Sequence, residues 1–327
     1  MSTRSATFEP EGSPSLASID LGSNTVRLLV GRAEGGRISR RLVRQETTRL
    51  GQGLIPGARF RPEALARTWR VLEAFRDETA ARGAERVLLG ATMAVREAAD
   101  GPDLLARVER ELNFKTVMLT GDQEAALTAA GVLTVLDPVP ERAVIFDLGG
   151  RSTEFVLVEK GCRARVKSLS LGAVALTEAH LTGDPPGPGE IDSCRRAAAL
   201  TLAQDLIDFK ERVARPFSLV GTAGTTTTLA AMDQALAVYR PELIDNYRLS
   251  RDGLAGLFER LAGMSVLERS RMPGLPADRA DVIAGGAAAV LEIMDFFNMN
   301  ELIVSDAGLL EGLWLAAAGR EEIGHDE

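Results

Sequence analysis

The feature of this sequence that most restricts its fold is a short pattern that occurs twice. Residues 17–30 read ASIDLGSNTVRLLV and residues 144–158 read VIFDLGGRSTEFVLV. Each copy is an apolar run, an Asp-Leu-Gly, a few small or polar residues, and a second apolar run. Short apolar runs bounded by glycine are the mark of buried strands joined by a tight turn. A single hairpin of this kind is common. Two of them, with a third glycine–hydroxyl stretch at 221–228 (GTAGTTTT), indicate an internal duplication.

The turns also suggest chemistry. Gly149 and Gly150 are expected to adopt positive φ and to bare their backbone N–H groups. Such groups, with hydroxyls such as Ser152 and Thr153 beside them, make a concave anion site. Asp147 and Glu154 at its rim are the oxygen ligands that a hard cation prefers. The first copy repeats the device with Asp20, Gly22, Ser23, Asn24 and Thr25. Phosphate together with Mg²⁺ is the expected ligand.

Composition narrows the class. The chain has 327 residues, room for about two domains, and is 45% hydrophobic but only 5% aromatic, so its cores are aliphatic. Cys162 and Cys194 are too few for a disulfide framework or a metal cluster, which suggests a reducing, cytoplasmic setting. No apolar run is long enough to span a membrane, and residues 1–15 form a polar tail, expected to be disordered, without a signal segment. A net charge of −8 argues against a general nucleic-acid binder but leaves room for a polyanion in a locally basic groove. The many arginines suit bidentate phosphate contacts, or reflect a bias of the genome.

Read in order, the pattern predicts strands at 16–20, 26–32 and 38–46, a helix over 62–82 with Leu65, Trp69, Leu72 and Phe75 inward, and a strand at 86–90. A strand-to-helix junction at 91–98 offers a helix N-terminus that Arg96 reaches, unless Arg96 only decorates a solvated face. Then come a helix at 103–112, a strand at 115–119 and a helix from Gly121 to about Leu133. After the second hairpin come a strand at 163–170, a long helix at 191–213 and a strand at 218–221. The threonine-rich stretch opens a helix, as an anion site or as a plain N-cap. Helices at 251–262, 266–271, 278–297 and 309–318 and a strand at 302–304 complete the pattern. Domain I is expected at 16–130 plus 308–327, and domain II at 131–307. The apolar helix at 278–297 serves either as core or as a homodimer interface, and core is expected.

This layout is that of an α/β protein with two ribonuclease-H-like (actin-like) domains, mixed five-stranded sheets flanked by helices, and a cleft between them. At its motifs the chain resembles the exopolyphosphatase / guanosine pentaphosphate phosphohydrolase family. Beyond the two hairpins, these are TRLGQGL at 48–54, ATMAVREA at 91–98, TGDQEA at 120–125, GTAGTTTTLAAM at 221–232, RADVIAGG at 279–286 and VSDAGLLEGL at 304–313. The resemblance implies a hydrolase that removes terminal phosphate from inorganic polyphosphate, or from guanosine pentaphosphate, with Mg²⁺ and Mn²⁺ as its substitute. By matching position it implies that Glu124 prepares the attacking water and that Arg96 contacts the phosphoryl group. It puts Asp147 and Glu154 at the metal, with Asp20 opposite. It makes Gly22, Ser23, Asn24, Thr25, Gly149, Gly150, Ser152, Thr153, Gly221, Thr222, Ala223, Gly224 and Thr225 the phosphate cradle.

The chain departs from the family pattern in places. Arg151 stands where a third glycine is usual, either as an added phosphate contact or as a tolerated turn residue, strained if its φ must be positive. Met93 replaces a usual Ser, and Gln123 a frequent Glu. Ala307 and Leu310 replace positions that are often polar. The length leaves no room for the histidine–aspartate domain of long members, so shorter polyphosphates are the expected preference. A phosphate or alarmone sensor and a kinase of the same superfamily are the readings from other classes.

Overall fold

The computed structural model describes residues 14–34 and 37–323. The expected tail at 1–15 lies almost wholly outside the described residues, as does His325. The chain divides into two compact units, Met1–Thr134 with Gly308–Glu327, and Val135–Ala307.

Unit 1 begins with β1 (Leu16–Leu21), β2 (Thr25–Glu34) and β3 (Arg37–Thr47). It continues through α1 (Pro62–Ala81), β4 (Arg86–Ala91), α2 (Met93–Glu97), α3 (Gly101–Leu112), β5 (Lys115–Met118) and α4 (Gly121–Leu133). The sheet order is β3-β2-β1-β4-β5, with the first three strands antiparallel and β1, β4 and β5 parallel. Both faces of β1 are covered, which is why its sequence is an unbroken apolar run apart from Ser18 and Asp20. Helix α1 starts with Pro62, whose fixed φ and missing N–H suit a first turn. Its buried stripe is Ala64, Thr68, Trp69, Leu72, Phe75 and Thr79; Leu65 is half-buried at the edge of that stripe.

Unit 2 holds β6 (Arg142–Leu148), β7 (Thr153–Glu159), β8 (Cys162–Leu169), α5 (Ala173–His180), α6 (Pro188–Asp205) and α7 (Ile207–Lys210). It goes on with β9 (Ser218–Thr222), α8 (Ala223–Asp233), α9 (Pro241–Ile244), β10 (Tyr247–Ser250), α10 (Arg251–Ala262), α11 (Val266–Arg269), α12 (Ile283–Phe297) and β11 (Glu301–Val304). The order β10-β11-β9-β6-β7-β8 repeats the wiring of the first sheet and adds one strand. The second sheet therefore has six strands rather than the expected five. The extra strand, β10, pairs antiparallel with β11, and only Leu249 of its four residues is buried, so no alternation marks it in the sequence. The long helix expected at 191–213 breaks at Leu206 between α6 and α7, and the one expected from Asp278 starts only at Ile283. Phe146, Phe155 and Phe297 meet in the core, with ring centroids 6.0 and 6.1 Å apart along that chain of contacts. The face of α12 is core, as expected, with twelve of its fifteen residues buried.

The final helix, α13 (Leu309–Ala317), leaves unit 2 and completes unit 1. It covers β1 and β4 with Leu310, Leu313 and Trp314, and Trp314 Nε1–H donates to the Leu16 carbonyl at 3.1 Å. Its crossing with α4 relies on glycine. A Cβ on Gly312 would overlap the Leu127 carbonyl, and one on Gly131 would overlap the Gly308 carbonyl. Among the described residues no helix is long and apolar enough to cross a membrane.

Candidate active site

Two turns of the same build leave the carboxyl ends of β1 and β6, the edge where parallel α/β sheets hold ligands. Gly22 N–H donates to the Thr25 carbonyl at 3.0 Å, and Gly149 N–H donates to the Ser152 carbonyl at 3.0 Å. At one constant spacing, Asp20 aligns with Asp147, Gly22 with Gly149 and Arg27 with Glu154. The duplication legible in the sequence thus extends to the hydrogen bond that closes each turn.

The reason for the glycines differs from the expectation. Neither Gly149 nor Gly150 has positive φ, and neither does Arg151, which is therefore unstrained. Glycine is favoured because a Cβ on Gly149 would sit 3.1 Å from the Ser152 carbonyl and one on Gly22 would sit 3.0 Å from the Thr25 carbonyl. The approach is closer still at Gly172, where a Cβ would overlap the backbone of Gly150 and Arg151. Gly172 is not among the sequence-predicted site residues.

In unit 2 the site is a row of side chains on one face of the sheet. Asp147 on β6 lies directly opposite Glu154 on β7, and beside Thr222 on β9. Opposed residues on neighbouring strands point the same way, with Cβ atoms about 5 Å apart. Glu154 in turn faces Ser168 on β8, whose hydroxyl donates to Glu154 Oε1 at 2.8 Å. Two hydroxyls expected in the cradle do other work. Thr153 is fully buried and donates to the Leu171 carbonyl; Thr222 is buried and donates to the Ala307 carbonyl at 2.8 Å. Both fix loops, and what remains of each for an anion is its backbone.

The third loop, Gly221–Thr225, joins β9 to α8. Ala223 stands at φ +67, a region that costs an L-residue energy and is typical of functional turns. Of the threonines after it, Thr226, Thr227 and Thr228 are buried and Thr225 is half-buried. Arg279, before α12, donates to the Gly224 carbonyl and, at 3.0 Å, to Thr228 Oγ1. Its guanidinium lies where a Cβ on Gly224 would be. Arg151, beside the second turn, pairs with Glu178 at 3.3 Å on the surface.

In unit 1 the turn at Gly22–Thr25 is gripped by the loop that follows β3. Thr48 and Arg49 N–H groups donate to the Asn24 carbonyl, at 3.0 and 2.8 Å, and Gly51 N–H donates to the Ser23 carbonyl at 2.8 Å. Arg96 on α2 is exposed, and its guanidinium donates to the Leu119 carbonyl, one residue before the N-cap of α4. Glu124 lies in the first turn of α4, half-buried, its N–H donating to the Thr120 carbonyl at 2.9 Å. The chain thus brings Arg96 to the helix start that carries Glu124. Gln123 has a local reason: with Thr120 it forms a reciprocal capping box, at 2.9 and 3.3 Å.

Asp20 sits in a different environment from Asp147. Its register partner is Arg27, not a carboxylate. Its Oδ1 is buried and has no hydrogen-bond partner among the described residues. Burial pushes its pKa up to about 6, against the pull of Arg27 and with a further push from Glu311. A buried carboxylate oxygen left unsatisfied is the usual trace of a missing donor or ion. Among the described residues, no three or more His, Cys, Asp or Glu side chains gather as a metal site.

Duplicated ribonuclease-H-like sheets, with paired glycine turns and acidic groups at their carboxyl edges, define a phosphate-handling enzyme of the actin-like class. The model of the Ppx/GppA phosphatase family matches residues 29–321, and the chain belongs to that family. It is accordingly a hydrolase of phosphoric anhydrides. A protein named exopolyphosphatase 2 from Mycobacterium tuberculosis is 35% identical over 93% of this chain and 98% of its own length. A guanosine-5'-triphosphate,3'-diphosphate pyrophosphatase from Aeromonas salmonicida is 29% identical over 92% of this chain but 59% of its own length. Among solved structures, the Aquifex aeolicus member of the family superposes with a TM-score of 0.83 at 30% identity, over 94% of this chain and 99% of that one. An exopolyphosphatase from Cytophaga hutchinsonii gives 0.82 at 25% identity, over 95% of this chain and all of that one.

Proposed function

We propose that the chain is an exopolyphosphatase that releases terminal orthophosphate from inorganic polyphosphate by direct attack of water. The observation that carries this reading is the match, across nearly the whole of both proteins, to a relative named exopolyphosphatase 2. The chemistry agrees with it. Phosphoryl transfer asks for in-line positioning and neutralised charge rather than a covalent intermediate. Beyond Gly22 and Gly149, whose N–H groups close the turns, the backbone N–H groups of the two glycine turns and of Gly221–Thr225 serve as donors for phosphate oxygens in this reading, and Arg96 adds a guanidinium. Glu124 accepts a proton from the water, a step worth roughly 10²–10⁴-fold.

The residues fit a divalent cation. Asp147 and Glu154 are hard oxygen donors facing one another on the sheet, and Mg²⁺ is commonly held by one or two carboxylates plus substrate phosphates. When bound, Mg²⁺ or Mn²⁺ would offset the phosphate charge. Asp20, with its orphaned oxygen, is the acidic group of unit 1 in this reading. Hydrolysis of guanosine pentaphosphate is the alternative reading, favoured by the name of the Aeromonas relative. Glu124→Gln tests the mechanism: phosphate release falls at least 100-fold while polyphosphate binding stays within about threefold. Unchanged turnover removes Glu124 from the reaction.

A further inference from the structure

We propose that Ser168 is a positioning residue for the metal-binding carboxylate pair; this rests on the reading of Asp147 and Glu154 as cation ligands. Ser168 lies on β8, the edge strand of the second sheet, outside the turns and loops that carry the other site groups. Its Cα partner is Glu154, and its hydroxyl donates to Glu154 Oε1 at 2.8 Å. Glu154 is itself the Cα partner of Asp147. Ser168, Glu154 and Asp147 therefore form one line across three strands, with the hydroxyl behind the outer carboxylate.

Three physical points support the assignment. A glutamate has three side-chain torsions, and an unrestrained one loses rotamer freedom when it takes up an ion. A neutral donor fixed to one oxygen removes much of that cost without adding charge. Partners that hold ligands in this way are worth roughly 10–100-fold in metal affinity. The duplicated half of the chain supplies an internal comparison. The matching row in unit 1 is Gln45, Arg27 and Asp20, so a cation stands where Glu154 stands in unit 2. A serine hydroxyl behind a carboxylate occurs in the half that has two carboxylates, and not in the half that pairs its aspartate with arginine.

The experiment is Mn²⁺ titration of the full chain, following free Mn²⁺ by electron paramagnetic resonance, for wild type, Ser168→Ala, Ser168→Thr and Glu154→Gln. Thermal midpoints are recorded alongside. Ser168→Ala is expected to weaken Mn²⁺ binding about 10-fold or more with the midpoint unchanged, Ser168→Thr to restore it to within about threefold, and Glu154→Gln to weaken it at least as much. Ser168→Ala binding Mn²⁺ like wild type while Glu154→Gln fails overturns the proposal and leaves the metal reading intact. Glu154→Gln binding like wild type overturns both. Weakened binding that Thr does not rescue, with a lowered midpoint, assigns Ser168 a merely structural role and also overturns it.

Discussion

At neutral pH Asp20 carries a charge that its surroundings disfavour. Its folded pKa of about 6 lies above the ordinary 3.8, so the folded chain binds this proton more tightly than the unfolded chain. Stability from Asp20 is therefore fully present below about pH 4 and is lost as pH rises to about 6. By ~1.4 kcal/mol per pKa unit, the charged form costs roughly 3 kcal/mol at most. Asp20→Asn is expected to raise the thermal midpoint at pH 7.5, to give no gain at pH 4, and to lose phosphate release. A gain equal at both values contradicts the assignment. Strain of this kind is typical of functional groups, and the sequence showed only that an Asp occupied the turn. The type of site residue was legible; its environment was not. Asp20 and Asp147 read alike, yet one faces Arg27 and the other Glu154, a difference set by strand register. Thr153 and Thr222 likewise read as ligand hydroxyls, because nothing local shows that a carbonyl lies behind them.

Among the elements, glycines give the sharpest contrast. A Cβ on Gly312 in α13 would overlap the Leu127 carbonyl of α4, whereas on Gly256 in α10 it would meet nothing within 4 Å. Gly312→Ala is therefore expected to destabilise by about 1–3 kcal/mol through overpacking. Gly256→Ala is expected to stabilise by about 0.5–1 kcal/mol through helix propensity. Urea midpoints of the two variants check both signs; a stabilised Gly312→Ala would show that the α4–α13 crossing relaxes freely. Most elements were legible because their buried faces are long: α10 occupies the residues predicted for it. Two elements escaped, α9 and β10, each four residues long; β10 is held by its pairing with β11 rather than by its own pattern.

Across the whole molecule, unit 2 is continuous in sequence and unit 1 is not. Unit 1 depends on α13, which returns after the whole of unit 2 and covers β1 and β4. Removing residues 308–327 is expected to abolish amide-exchange protection in β1 and β4 while leaving that of β6, β7 and β9. Retained protection in unit 1 would contradict this dependence. The repeated wiring of the two sheets was legible in the twin Asp-Leu-Gly turns. No local signal in residues 309–317 says which sheet a terminal helix covers. On the proposed reading, these groups release terminal phosphate from a polyphosphate chain to water. The direct measurement is orthophosphate release from inorganic polyphosphate, guanosine pentaphosphate and ATP in parallel, each with and without Mg²⁺. Mg²⁺-dependent release, without added nucleotide and fastest from polyphosphate, is expected; no release from polyphosphate, or release only when ADP is supplied as acceptor, overturns that reading.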